Sequence, residues 1–141
     1  MDREIVLQRL KSDNEKDLVE ALYAIDECLA QDPIIISLMR PLLRSKSPDV
    51  REISIMRLAC RSHDGTITED MKRNIGLDRD LLTFSASVRG LVCLSDDTTF
   101  EHSDLEKFLT DRRNFQKNAE KLAVLDQALR DIGRSRKRTL S

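Results

Sequence analysis

The chain has 141 residues and a mass of 16.2 kDa, which suits one domain with one hydrophobic core. Hydrophobic residues make up 40% and charged residues 35%, a balance that favours neither disorder nor a membrane span. With 4 Gly, 3 Pro and no Trp, the composition favours helices over an all-β or glycine-rich nucleotide-binding fold. The net charge is −1, but residues 1–133 stand at −5 because four basic residues lie in 134–141. An acidic body is a poor ligand for a phosphate backbone and a better surface for a basic protein.

Apolar spacing predicts eight helices that form four pairs. The first helix of each pair is predicted at residues 3–11, 34–44, 67–76 and 102–110, and the second at 16–30, 49–62, 80–94 and 114–132. Leu18, Leu22, Ile25 and Leu29 show the spacing of a core stripe on one helix face. Segment 134–141 is predicted to be a disordered basic tail.

The same apolar pattern recurs every 32 or 33 residues. Three columns carry it, namely Leu10, Leu42, Ile75 and Phe108; Leu18, Val50, Leu82 and Phe115; and Cys28, Cys60, Val92 and Leu125. Self-similarity at a fixed period of this length is typical of repeat architectures. The sequence therefore predicts one repeat domain over 1–133, with units at about 1–32, 33–65, 66–98 and 99–133.

The second unit carries a recognisable motif. Its run from Leu42 to Ser54, LLRSKSPDVREIS, followed by Leu58, resembles the HEAT repeat, in which a leucine-rich helix leads through an Asp/Pro turn to Val-Arg. The other units follow the pattern more loosely, with Val19, Thr83 and Gln116 in place of the arginine. This resemblance implies an all-α, right-handed α–α superhelix of about four HEAT-like helix pairs, whose second helices line the concave face.

The concave face is the expected binding surface. Its predicted partner-binding residues are Glu20, Tyr23, Glu27, Arg51, Ile55, Arg57, Phe84 and Arg89. Tyr23, Ile55 and Phe84 would form an apolar row, unless Ile55 and Phe84 pack against the adjacent unit. Arg57 and Arg89 lie one unit apart, where the terminal units carry aliphatic residues. They are either internal side chains that cap Asp26 or Asp126, or a cationic site for a carboxylate or phosphate.

Cysteine usage and the N-terminus bear on the compartment. Three cysteines with no close pair argue against a disulfide framework and for a reducing compartment. Cys28 and Cys60 are predicted to be buried, and Cys93 partly exposed. The charged start, Met1 to Glu4, does not look like a secretory signal, so we expect a cytoplasmic protein.

The sequence carries few groups suited to catalysis. His63-Asp64 and Glu101-His102-Ser103-Asp104 are its only His/acid neighbours, and both fall at predicted inter-unit loops, where a structural role is expected. It contains no zinc-protease motif, paired-cysteine spacing or glycine-rich phosphate loop. We therefore expect no enzyme, no metal and no cofactor.

These observations together predict a protein-binding module that acts as a monomer or in a complex with a basic protein, away from membranes. Small HEAT-like proteins include immunity proteins that mask a toxin domain, so the resemblance implies an inhibitor of a basic toxin as one role. A scaffold or adaptor fragment is a second. A HEAT-like nucleic-acid-binding or DNA-repair protein is the alternative from another class, disfavoured by the acidic body.

Overall fold

The computed structural model describes residues 1–77, 79–96 and 102–140, with the side chains up to Arg134 except that of Asp96. This part of the chain forms eight α-helices and no strand, which confirms the all-α prediction. The helices are α1 (Arg3–Leu10), α2 (Glu15–Ala24), α3 (Pro33–Met39), α4 (Pro48–Cys60), α5 (Thr68–Gly76), α6 (Leu81–Asp96), α7 (His102–Phe115) and α8 (Ala119–Leu140). Short 3₁₀ turns occupy Leu29–Gln31, Arg40–Arg44 and Gly65–Ile67.

The first four helices begin at capping side chains that the sequence supplies. Each of these side chains accepts a hydrogen bond from one or two backbone N–H groups in the first turn of its helix, donors that would otherwise have no partner. The caps of α1 to α4 are Asp2, Asn14, Asp32 and Ser47. Pro33 and Pro48 each occupy the first position of a helix, where the missing N–H costs nothing.

The helices pack in pairs, and the second helices of successive pairs contact one another. Helix α2 contacts α4, α4 contacts α6, and α6 contacts α8, while α1, α5 and α7 each pack on the second helix of their own pair. The partner of α4 is mainly the 3₁₀ turn that follows α3. One continuous core runs through all four pairs, with Leu22, Ile35, Leu58, Phe84 and Leu125 among its buried side chains.

Helices α4 and α6 make the closest approach between second helices. Gly90 on α6 faces α4, and an ideal Cβ at this position would lie 3.1 Å from Ala59 Cβ and 3.2 Å from Ile55 Cγ2. Such separations are shorter than almost all ordinary carbon contacts. The absence of a side chain at Gly90 is therefore what allows the two helices to pack at this distance.

Several helix boundaries differ from the prediction, three of them in ways that matter for the surface. Helix α2 ends at Ala24 rather than near residue 30, because Ile25 leaves the helical conformation. Helix α7 continues through Phe115, so the turn that joins α7 to α8 lies at 116–118 instead of 111–114. Helix α8 was expected to end near 132 but continues to Leu140, so the backbone of the basic segment through that residue is helical. The extension of α7 leaves Phe115 83% exposed instead of placing it in the core.

Candidate functional site

The second helices present one open face, and four of the eight predicted partner-binding residues, Tyr23, Glu27, Arg57 and Arg89, lie on it or beside it. Tyr23 is 65% exposed, and the side chain of Arg89 is 55% exposed. Glu27 is also exposed, whereas Glu20 and Arg57 are half-buried. Glu20 forms an ion pair with Arg9 of α1, which ties it to its own helix pair.

The other three predicted residues are interior. Their burial corrects the expected exposure of Arg51, and for Ile55 and Phe84 it favours the alternative that they pack inside the protein. Ile55 and Phe84 have no exposed surface, and Arg51 is 7% exposed. Successive residues of an α-helix point about 100° apart, so an error of one position turns an outward side chain inward. The open face is formed by the next residues along the chain, Met56 on α4 and Ser85 on α6.

The first depression on this face is a groove between α6 and α8, which we call the α6–α8 groove. Its volume is about 480 Å³. Its lining consists of Met56, Ser85, Arg89, Val92, Cys93, Ala123, Val124, Gln127, Ala128 and Asp131. Val92 and Val124 are half-buried and Ala128 is buried, whereas Arg89 and Gln127 are exposed. The groove therefore has an apolar floor and a polar rim.

The second depression lies beside the C-terminal end of α4, and we call it the arginine cavity. Its volume is about 810 Å³, and it is lined by Glu27, Gln31, Met56, Arg57, Cys60, Arg61 and His63. Arg57 Nε donates to the Leu22 carbonyl at 3.0 Å, and its guanidinium lies 5.9 Å from the centre of the Tyr23 ring. Burial lowers the pKa of Arg57 from its ordinary value, and repulsion from Arg61 lowers it further, although it stays fully charged at neutral pH.

Arg57 and Arg89 do not share a site, and neither caps the acids proposed from the sequence. Arg89 lies 3.8 Å from Glu52 and lines the α6–α8 groove. Asp126, one of the expected partners, instead pairs with Arg113 of α7. Arg57 and Arg89 therefore do not form the cationic site that was one of the two alternatives, and the two arginines that line one cavity are instead Arg57 and Arg61, one helical turn apart.

The cysteine prediction is corrected on two points. Cys60 of α4 and Cys93 of α6 form a disulfide with a Cα–Cα distance of 5.4 Å, and Cys28 is exposed rather than buried. Cys60 lines the arginine cavity and Cys93 lines the α6–α8 groove, so the two depressions adjoin along this bond. The signal was present in the sequence. The two cysteines are 33 residues apart, which is one repeat period and places them side by side on neighbouring second helices.

The His/acid neighbours are held in structural positions. Asp64 is buried and accepts hydrogen bonds from Arg40 Nε at 2.8 Å and from Thr66 N at 3.1 Å. Burial alone would raise the pKa of Asp64, but these hydrogen bonds outweigh it and hold that pKa below its usual range. A carboxylate with a lowered pKa is a weak general base. In the second motif, Glu101 lies outside the described residues, and Asp104 is exposed on α7.

His63 itself is exposed and adopts a φ of 53°, a left-handed conformation that is uncommon for residues other than glycine. This conformation turns the chain at the end of α4, where Asp64 N donates to the Leu58 carbonyl at 2.9 Å. The residue therefore closes the helix at the edge of the arginine cavity. Among the described residues, no group of three or more His, Cys, Asp or Glu side chains is placed to hold a metal ion.

Within the described ranges, every helix is too short or too polar to cross a membrane. The α6–α8 groove and the arginine cavity are two depressions on the open face, within the described part of the chain, that could hold a ligand. Comparison of the chain with protein-family models, curated proteins and solved structures finds no match.

Proposed function

We propose that this protein is a non-catalytic protein-binding module that holds its partner on the open face of α2, α4, α6 and α8. In this proposal the four helix pairs form a short right-handed superhelix of HEAT-like units, with the open face on its concave side. The consecutive packing of the second helices supports that arrangement, because stacked units share a continuous core. The single observation that carries the function is the α6–α8 groove.

The composition of this groove is that of a protein interface. Val92, Val124 and Ala128 supply an apolar floor, and Arg89 and Asp131 place opposite charges at its rim. Protein interfaces bury an apolar centre inside a polar rim, and a few large side chains in central pockets supply most of the affinity. The groove accepts apolar side chains of a partner, while the rim charges orient it.

The proposed partner is a basic protein. Residues 1–133 have a net charge of −5, and the exposed Glu27 has no basic side chain within ion-pair distance in the described part of the chain. Complementary charge raises the association rate and selects against acidic competitors more than it raises affinity. We therefore expect partner binding to slow as the salt concentration rises.

A nucleic-acid partner is less well supported. Asp131 borders the α6–α8 groove, so this groove presents a carboxylate to an incoming phosphate backbone. Binding to a phosphate backbone requires several unopposed Lys or Arg side chains along its path. The basic cluster of 134–141 lies at the C-terminal end of the chain, and its deletion separates the two possibilities.

Two roles within the binding class remain to be distinguished. An inhibitor, such as an immunity protein, would abolish the activity of its partner, whereas a scaffold or adaptor would leave that activity intact. Co-expression distinguishes them, because only an inhibitor rescues cells from a toxic partner. A cytoplasmic location is part of the same proposal. It implies that the Cys60–Cys93 pair meets a reducing environment, in which most disulfides do not persist.

The test compares two variants that add the same charge to exposed apolar positions. Ala123→Arg places an arginine in the α6–α8 groove, and Ile34→Arg places one on α3, where Ile34 is 53% exposed. The wild type and both variants, each shortened to residues 1–133 and treated with nuclease, are used to capture a partner from native cells. Quantitative mass spectrometry then measures how much of each captured protein every variant retains.

The expected result is one stoichiometric basic protein that the wild type and Ile34→Arg retain and Ala123→Arg loses. Equal retention by all three would move the interface away from the groove. Duplex binding by residues 1–133 that weakens steeply with salt would favour the nucleic-acid alternative instead.

A further inference from the structure

We propose that the arginine cavity is a binding site for the phosphate group of a small ligand, with Arg57 and Arg61 as its two cationic contacts. This inference concerns a different part of the open face from the α6–α8 groove and does not depend on the protein-binding proposal. It is carried by the fixed position of Arg57, the charge balance of the cavity and its size.

The guanidinium of Arg57 is held in place before any ligand arrives. Its Nε donates to the Leu22 carbonyl at 3.0 Å, and the group lies 5.9 Å from the centre of the Tyr23 ring. These contacts leave the Nη1 and Nη2 groups of Arg57 without a hydrogen bond to a described residue. A planar guanidinium fixed in this way loses little conformational entropy when it binds an oxyanion.

The two arginines have no acidic partner. Among the described residues, no carboxylate lies within ion-pair distance of Arg57 or Arg61. Glu27 and His63 line the same cavity, but the nearby positive charge that acts on Arg57 is that of Arg61, whose repulsion lowers the pKa of Arg57. Arg57 is half-buried beside the positive charge of Arg61, which raises the free energy of the fold, and a bound dianion would relieve that cost.

The Arg61 side chain is not needed as a hydrogen-bond partner for the backbone carbonyl groups at the end of α4. The Leu58 carbonyl accepts from Asp64 N at 2.9 Å, and the Arg57 carbonyl accepts from Ser62 N at 2.9 Å. The Arg61 carbonyl accepts from Gln31 Nε2 at 2.8 Å. The helix end is therefore closed by other groups, and the Arg61 side chain stays available at the cavity.

A phosphate monoester fits this charge better than a carboxylate does. It carries between about 1.5 and 2 negative charges at neutral pH and offers three acceptor oxygens, whereas a carboxylate carries one charge. Arginine binds phosphate through paired N–H donors, and two arginines match a dianion. The cavity volume of about 810 Å³ lies in the range of small-molecule sites, so the phosphate can be part of a larger ligand.

The experiment titrates the full chain with inorganic phosphate and, separately, with acetate at constant ionic strength and pH. Backbone amide chemical shifts in two-dimensional NMR spectra report where each anion binds. Variants Arg57→Gln and Arg61→Gln remove the two contacts. Arg44→Gln is the matched control, because the side chain of Arg44 is 75% exposed and lies on the 3₁₀ turn after α3.

We expect saturable shifts at Gln31, Arg57, Arg61 and His63 with phosphate, and much weaker ones with acetate. Each cavity variant should weaken phosphate binding about tenfold, the loss expected for one charge-assisted hydrogen bond. Arg44→Gln should bind like the wild type. Because Arg61 is exposed, Arg61→Gln tests the site even where Arg57→Gln impairs folding.

Three outcomes would overturn the proposal: no saturable shift at the cavity, equal affinity for acetate and phosphate, or equal weakening by Arg44→Gln. Equal weakening by Arg44→Gln would show that phosphate responds to the overall positive charge of the surface rather than to the cavity. None of them bears on the groove, since partner capture by the wild type and the Ala123→Arg variant is measured separately.

Discussion

Arg51 of α4 binds Asp80, the residue that immediately precedes α6, with 2.5 Å between Arg51 Nη2 and Asp80 Oδ2. Arg51 Nη1 donates to the Ser45 carbonyl at 2.6 Å, and Nε donates to Thr83 Oγ1 at 2.9 Å. Asp80 in turn accepts from Thr83 N at 2.9 Å and so caps the first turn of α6. One buried guanidinium thus joins the turn before α4 to the start of α6, which makes it a structural residue rather than a partner contact.

This arrangement predicts a large loss of stability when Asp80 is removed. Asp80→Ala leaves the Arg51 side chain, which is 9% exposed, without its counter-ion and removes the cap of α6. Breaking a buried pair on one side costs about 3–5 kcal/mol, and we expect about 2–4 kcal/mol here because Asp80 is a third exposed. Urea unfolding followed by circular dichroism measures the change. The control Arg73→Ala, in an exposed pair with Asp70, should cost less than about 1 kcal/mol. Similar losses for both variants would contradict this account.

Arginine–aspartate pairs of this kind recur along the chain and make its stability depend on pH. Arg3 donates to Asp32 at 2.6 Å and Arg40 donates to Asp64 at 2.8 Å, and each aspartate also caps the helix or turn that follows it. The hydrogen bond from Arg3 lowers the pKa of Asp32. At Asp64 burial acts in the opposite direction, but the hydrogen bonds outweigh it and the pKa is lowered as well.

A carboxyl group whose pKa is lower in the folded protein than in the unfolded chain stabilises the fold at pH values above its unfolded pKa, which is about 3.9 for aspartate. This stabilisation is lost as the pH falls through the pKa of the folded protein. We therefore expect the free energy of unfolding to fall as the pH drops from about 5 to 3. Asp64→Asn should be less stable than the wild type by about 1–2 kcal/mol at pH 7, and this difference should shrink toward pH 3. Urea midpoints measured at several pH values test it. A difference that stays constant across this range would show that Asp64 acts only through packing.

The sequence could predict the helix pairs but not the rotation of each helix. The periodicity of Leu18, Leu22 and Ile25 reports which residues recur on one face, and these three are buried as predicted. Arg51 is predicted on the concave face because it occupies a non-core position of a predicted second helix. Its burial depends on three acceptors from two separate segments, the turn before α4 and the start of α6, which no local pattern reveals.

Phe84 illustrates the same limit for an apolar residue. The sequence leaves open whether Phe84 faces a partner or packs against the adjacent unit. In the structure it is fully buried, and Lys121 Nζ of α8 lies 5.4 Å from the centre of its ring. The turn between α7 and α8 lies at 116–118, a few residues later than predicted, and the spacing of apolar residues does not determine a helix boundary this closely. The arginine cavity was missed for a related reason, since Gln31 and Arg61 meet only through the hydrogen bond between their helix ends.

The disulfide predicts a specific response to reduction. It closes a loop with a sequence separation of 33, for which loop-closure entropy gives about 3–4 kcal/mol of stabilisation. The variants Cys60→Ser and Cys93→Ser should each lose about that amount, and so should the wild type in a reducing agent. Cys28→Ser should change little, because Cys28 is exposed and unbonded. Alkylation followed by mass spectrometry checks the pairing independently, and labelling of all three cysteines without a reductant would contradict it.

Two glycines on neighbouring second helices should respond in opposite directions to the same substitution. Gly90→Ala places a Cβ 2.6 Å from Met71 Sδ of α5 and 3.1 Å from Ala59 Cβ of α4, so the Met71 side chain must shift and α4 must give slightly. Overpacking of this kind costs about 1–3 kcal/mol. Gly133→Ala on α8 meets no atom within 4 Å, so it should stabilise the helix by about 0.5–1 kcal/mol through reduced backbone entropy in the unfolded chain. Thermal unfolding of both variants measures the two effects, and a Gly90→Ala variant as stable as the wild type would show that α4 and α6 do not need this close approach.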